Sequence, residues 1–134
     1  MLLVHMGGPF WARRDAGAWT VPKGELEPGE EALPAALREF EEEMGRPPPA
    51  GETLALGTVR QAAGKLVTAF AREGDFDPAG LRSNTFTVEW PPRSGRSVTF
   101  PEVDRAAWLS VAEARPRIVK AQAALLDRLV ALLA

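Results

Sequence analysis

KGELEPGEEALPAALREFEEEMGR, residues 23–46, is the stretch on which the fold turns. From Glu31 to Met44 it predicts a helix, because Leu33, Leu37, Phe40 and Met44 recur at the spacing of one apolar stripe. Pro34 is compatible with this only because it falls near the first turn. Gly45 and the three prolines Pro47, Pro48 and Pro49 stop the helix. On such a helix Glu39, Glu42 and Glu43 stand at i, i+3 and i+4, so their carboxylates share one face. Like charges at that spacing repel. Two readings follow: a solvated acidic face, or a place where a hard cation such as Mg²⁺ or Mn²⁺ is held by carboxylate oxygens.

The rest of the composition narrows the setting. The chain has 134 residues, 46% of them hydrophobic and 25% charged, which fits one globular domain spanning 1–134. Sixteen basic and 18 acidic residues leave a net charge of −2, so general affinity for nucleic acid or anionic membranes is not expected. Acidity is instead local: glutamates 25, 27, 30, 31, 39, 41, 42 and 43 crowd one segment. With no cysteine, disulfides and zinc-thiolate sites are excluded. No apolar run is long enough to span a bilayer, and MLLVHMGG is too short for a signal peptide. The expected compartment is the cytoplasm.

Outward from the acidic segment, Leu2 to Met6 and Ala18 to Val21 predict short strands around a GGPFWARRDAG loop. Thr53 to Gln61 and Leu66 to Arg72 predict two strands joined at Ala63-Gly64. Thr85 to Trp90 alternates Phe86, Val88 and Trp90 with polar residues, as a strand does. Val98 to Phe100 and Ala106 to Leu109 are expected as short strands flanking PEVD. Ser110 with Glu113 forms a capping box that opens a helix, which Pro116 interrupts. Ile118 to Leu133 is then expected as an amphipathic helix with Ile118, Leu125, Leu126, Leu129, Val130 and Leu133 inward. The order predicts an α+β chain, an α/β/α sandwich with a mixed sheet. His5, in an apolar strand, is expected to be a satisfied sheet residue.

Gly24, Glu30, Arg38, Glu39, Glu42, Glu43 and Gly45 fall at spacings that resemble the Nudix box: Gly, five residues, Glu, seven residues, Arg-Glu, an apolar residue (Phe40), one residue, Glu-Glu, one residue, Gly and an aliphatic residue. Only Arg46 departs, at the aliphatic position, with an expected effect on packing. The resemblance implies a loop–helix–loop platform on a mixed sheet. It implies that Glu39, Glu42 and Glu43 bind Mg²⁺ or Mn²⁺, with a backbone carbonyl of Lys23 or Gly24 completing the shell. It gives Glu30, Arg38, Gly24 and Gly45 structural parts. The general base it implies is a box glutamate, Glu39 or Glu42, or a later loop acid, here Glu102, whose alternative reading is an ordinary surface acid. Nudix domains usually have one more strand before the first, which this sequence is expected to lack.

The lead-in Trp19-Thr20-Val21-Pro22-Lys23-Gly24 resembles that of Nudix enzymes acting on diadenosine polyphosphates and diphosphoinositol phosphates, and Lys23 could meet a phosphate. Arg13, Arg14 and Lys65 are further candidate phosphate contacts, or solubilising charges. Phe10, Trp11 and Trp90 are candidate stacking surfaces, with core packing as the alternative. Arg82 to Arg96 resembles a bacterial Nudix subgroup described only as predicted nucleotide pyrophosphohydrolases. The function expected is cleavage of a phosphoanhydride bond in a nucleoside diphosphate derivative, a dinucleoside polyphosphate or a nucleoside triphosphate. Alternatives are an ADP-ribose or nucleotide-sugar pyrophosphatase, and a non-catalytic nucleotide sensor, which would be expected to have lost box glutamates. A small-molecule nucleotide is the expected partner. The oligomeric state stays open, a homodimer among the options.

Overall fold

The computed structural model describes residues 1–23 and 29–133. Strand β1, Leu2–Met6, is the centre of a three-stranded sheet, between β2 (Trp19–Thr20) and β7 (Val103–Trp108), both antiparallel to it. Its residues alternate between two cores, as successive strand residues must. Leu3 packs in a cluster with Ala18, Trp19, Ala114, Ile118 and Leu126. Val4 packs in another with Met44, Phe76 and Val103. Helix α1 (Ala32–Met44) contributes Met44 to the second cluster. Helices α2 (Val111–Arg117) and α3 (Ala123–Leu133) contribute Ala114 and Leu126 to the first. Helices therefore lie on both faces of this sheet. A parallel bridge between Trp19 and Ile118 adds the mixed component to its antiparallel ladders.

Two further antiparallel pairs complete the fold. Strands β3 (Thr53–Arg60) and β4 (Leu66–Arg72) pair, and Leu56, Val59 and Ala69 pack on Leu125 of α3. Strands β5 (Thr85–Glu89) and β6 (Ser97–Pro101) pair as a separate hairpin. Among the described residues no helix is long and apolar enough to cross a membrane.

Several expected boundaries move. PEVD is mostly strand: β6 runs to Pro101 and β7 begins at Val103, so Glu102 is the single residue between them. The second strand shrinks to Trp19–Thr20. The last helix begins at Ala123 and not at Ile118, because Ile118 is extended and bridges Trp19, and a 3₁₀ turn at Lys120–Gln122 intervenes. Pro116 sits inside α2 near its end. In α3, Leu125 and Leu126 are both 2% exposed and Leu129 is half-buried against the Leu56 cluster, as expected; Val130 and Leu133 instead face solvent at 45% and 70%. In α1, Leu33 and Leu37 are half-buried, while Ala35, Glu43 and Met44 are buried. The Ser110–Glu113 capping box forms in both directions.

Gly45 ends α1 in the left-handed conformation (φ 79°), its N–H donating to the Glu41 carbonyl. A Cβ there would lie 2.6 Å from the Arg82 Cβ and 2.9 Å from the Arg82 carbonyl oxygen. The Arg82 N–H donates to the Met44 carbonyl (3.2 Å) and the Asn84 N–H to the Glu42 carbonyl (3.3 Å), so segment 82–84 is clasped onto the helix end. Conformation and close approach together require glycine. Gly45→Ala is expected to destabilise the protein by roughly 1–3 kcal/mol in urea unfolding followed by circular dichroism.

Candidate active site

Glu43, on the C-terminal turn of α1, is only 7% exposed. Its carboxylate accepts the Lys23 backbone N–H at 2.8 Å, tying the segment before the acidic loop to the helix. Burial pushes the Glu43 carboxyl from 4.5 up to about 7, against the Lys23 hydrogen bond and charge, with the fields of Glu102 and Glu39 pushing further in the same direction. The Glu39 carboxyl is also raised, first by burial and then by Glu42 and Glu102, with Arg38 opposing. Glu39, Glu43 and the loop residue Glu102 therefore lie within one another's fields.

Glu102 reaches this position through backbone bonds. Its N–H donates to the Asn84 carbonyl (2.8 Å), and its carbonyl accepts the Gly7 N–H (2.8 Å). Asn84 is in turn bound to α1 through the Glu42 carbonyl. Ser83 Oγ accepts the Val103 N–H at 3.1 Å and donates to the Asn84 carbonyl at 2.7 Å. Gly7 is required by proximity: a Cβ would lie 2.0 Å from the Pro101 carbonyl oxygen. Ser83, Asn84 and Gly7 escaped the sequence reading because the partners of the Ser83 hydroxyl, the Asn84 backbone and the Gly7 backbone are distant in sequence or belong to the main chain.

Arg38 is the cationic hub. It grips Glu30 as a fork, Nε to Oε2 and Nη2 to Oε1, both 2.9 Å. Its Nη1 lies 2.8 Å from Glu39 Oε1 and 3.2 Å from Glu42 Oε2. Glu42 is the most open of the helix carboxylates named, its side chain 41% exposed against 14% for Glu39. The donor set is all oxygen and acidic, which suits a hard divalent cation. Among the described residues, however, no three such side chains converge on one point as they stand. Gly24 lies outside the described residues.

The other sequence candidates are placed as follows. Trp11 is half-buried against the Leu3 cluster, with the Arg14 guanidinium 5.5 Å from its ring centre. Arg13 and Arg14 are exposed and make no ion pair with a box glutamate among the described residues. Lys65 is exposed just before β4, its carbonyl accepting the Gln61 N–H. Arg46 stacks on Phe76, 4.4 Å from the ring centre, and bonds the Asp77 carbonyl at 2.6 Å, so a cation–π contact occupies the aliphatic position. His5 is fully buried with both ring nitrogens bonded, to Asp104 (2.8 Å) and the Arg14 carbonyl (2.6 Å). Trp19 donates to Asp15 at 2.8 Å. That bond and Arg117 hold the Asp15 carboxyl below its ordinary value, despite partial desolvation.

The NUDIX domain profile matches residues 1–129. The chain belongs to the Nudix family. A 49-residue stretch of it is 47% identical to an RNA pyrophosphohydrolase of Novosphingobium aromaticivorans, covering 34% of this chain and 30% of that relative's length. The fold is that of Nudix hydrolases. This Nudix chain superimposes on a C. elegans Ap4A hydrolase, solved as a binary complex, with TM-score 0.64 and 22% identity over 98% of this chain and 85% of that one. It also superimposes on the E. coli ORF135 protein, with TM-score 0.63 and 23% identity over 99% and 81%.

The raised Glu43 carboxyl has a stability consequence. The folded state favours the protonated form more than the unfolded chain does. That contribution is therefore complete below pH 4.5 and lost as pH rises towards about 7. Without divalent metal, the thermal midpoint is expected to fall across that window by the equivalent of about 3 kcal/mol. Glu43→Gln should flatten the fall; equal slopes in both proteins would contradict it.

Proposed function

We propose that this Nudix chain is a metal-dependent pyrophosphohydrolase that cleaves a phosphoanhydride bond in a nucleoside diphosphate derivative, either a dinucleoside polyphosphate or a nucleoside triphosphate. The observation carrying this reading is the gathering of Glu39, Glu43 and Glu102 into one field around a buried carboxylate. So much like charge beside so few cations calls for a compensating ion. Mg²⁺ or Mn²⁺ fits the donor chemistry. Glu39, Glu42 and Glu43 would hold it, with a carbonyl of Lys23 or Gly24.

When bound, such an ion neutralises charge building on the phosphoryl oxygens. The protein's own part is positional. Arg38 Nη1 now sits on Glu39 and Glu42, and in this reading it gives them up while keeping its fork on Glu30. The Lys23 ammonium meets a phosphate oxygen. Glu102, exposed and fixed through its backbone, takes the proton from the attacking water. The new P–O bond forms from that water, the anhydride P–O bond breaks, and its electron pair leaves on the departing phosphate. In this reading the partner is a small-molecule nucleotide and the setting is the cytoplasm.

A second substrate, the 5′-phosphorylated end of an RNA, is favoured by the 47% identity to the RNA pyrophosphohydrolase. The test is product release, with Mg²⁺ or Mn²⁺, from diadenosine polyphosphates, NTPs, dNTPs, ADP-ribose, NADH and 5′-triphosphorylated RNA. One class should be cleaved. Glu42→Gln should lower kcat by about 10²-fold or more, and Glu102→Gln by a similar order without weakening metal binding. Metal-dependent binding of a nucleotide with no turnover by the wild type would instead favour a sensor.

A further inference from the structure

The β5–β6 hairpin springs from the acidic site. It leaves at Asn84, which is bonded to α1, and returns to Glu102. Its paired register puts Phe86 opposite Phe100 and Val88 opposite Val98. Strand alternation then places these four and Trp90 on one face. The loop after β1 touches this face twice. Gly8 lies against the Phe86 ring, where a Cβ would come within 2.6 Å of it. Phe10 meets Trp90 edge to face, ring centres 5.4 Å apart at 79°.

Phe10 is 57% exposed, an unusual state for a phenylalanine that could have folded back as Trp11 does. Beside this aromatic step stand several cationic side chains and one carboxylate, Glu89, which accepts the Arg93 backbone N–H at 2.6 Å. Arg93 and Arg96 in the hairpin turn, and Arg13 in the facing loop, are exposed and have no ion-pair partner among the described residues. In a chain of net charge −2, an aromatic step with unpaired arginines is complementary to a base carrying phosphates.

We propose that the Phe10–Trp90 step binds the second nucleoside of a dinucleoside polyphosphate, with Arg13, Arg93 and Arg96 meeting its phosphates. This deepens, and rests on, the hydrolase reading of the α1 carboxylates. Five paired residues separate root from tip, about 16 Å at strand rise. In a nucleoside triphosphate cut beside its α-phosphate, only one phosphate and a ribose separate the base from the scissile bond, so that base stays near Glu39–Glu43. A ligand with a nucleoside at each end of its phosphate chain carries its second base further. The hairpin would thus select for length.

The test separates the step from the chemistry. Kd is measured by calorimetry with Mg²⁺ for diadenosine tetraphosphate, ATP and a short 5′-triphosphorylated RNA, using Glu102→Gln protein, which keeps the metal-holding carboxylates, with and without Phe10→Ala/Trp90→Ala. Removing the step should weaken diadenosine tetraphosphate about tenfold and leave ATP within about twofold. Arg93→Ser/Arg96→Ser, which alters only exposed turn residues, should act in the same direction, by about threefold or more, with a shallower salt dependence. Equal weakening of ATP, no change for either ligand, or a loss confined to RNA would overturn the proposal. So would a step that serves only to pair two copies of the chain, seen as dimer loss in the aromatic variant with ligand affinity intact. Turnover of diadenosine tetraphosphate by the wild type is scored separately: its absence would remove the hydrolase reading while the Kd ratio still decides the step.

Discussion

A carboxylate buried beside other carboxylates is the constraint around which this chain is organised. Glu43 is held out of water on α1, with one backbone N–H from Lys23 and the fields of Glu39 and Glu102 against it. Such a group is unfavourable unless it is protonated or a cation joins it. The flanking structure does not relieve the crowding; it maintains it. Arg38, the nearest cation to Glu39, is committed to a fork on Glu30 and offers its neighbours one nitrogen. The fold thus keeps an excess of negative charge around Glu39, Glu43 and Glu102, and the proposed metal would offset it.

The second half of that arrangement comes from sequence far from the helix. Clasping segment 82–84 onto the end of α1 needs a glycine at 45. The return of the chain beside β1 needs a glycine at 7. Between these two close approaches Glu102 is fixed as the lone residue between β6 and β7. The hairpin that connects Asn84 to Glu102 packs against the loop after β1, through Gly8 on Phe86 and Phe10 on Trp90, and contributes no residue to the three core clusters.

Much of this was legible. The apolar spacing and the Gly-Pro stop located α1 to within one residue, and the Ser110–Glu113 pair located α2, because both signals are local. Strand β1 was equally plain. What failed was set by distant partners. Ile118 has the spacing of a helix residue, yet pairing with Trp19 extends it. Val130 and Leu133 continue an apolar pattern but are exposed. At the site, the acidic trio was visible in the spacing, but its burial was not: nothing local says that Glu43 is buried while Glu42 is open. The proximity of Glu102 depends on main-chain bonds and on close approaches at Gly7 and Gly45 whose partners lie far away in sequence.

The most direct test of the central claim is a titration of the resting protein with Mn²⁺ near pH 7.5, following the free-ion signal by electron paramagnetic resonance. The account predicts that the wild type removes Mn²⁺ from solution at a defined stoichiometry and that Glu39→Gln and Glu43→Gln largely abolish this. A free-ion signal that rises without a binding phase, or identical binding in the variants, would contradict it.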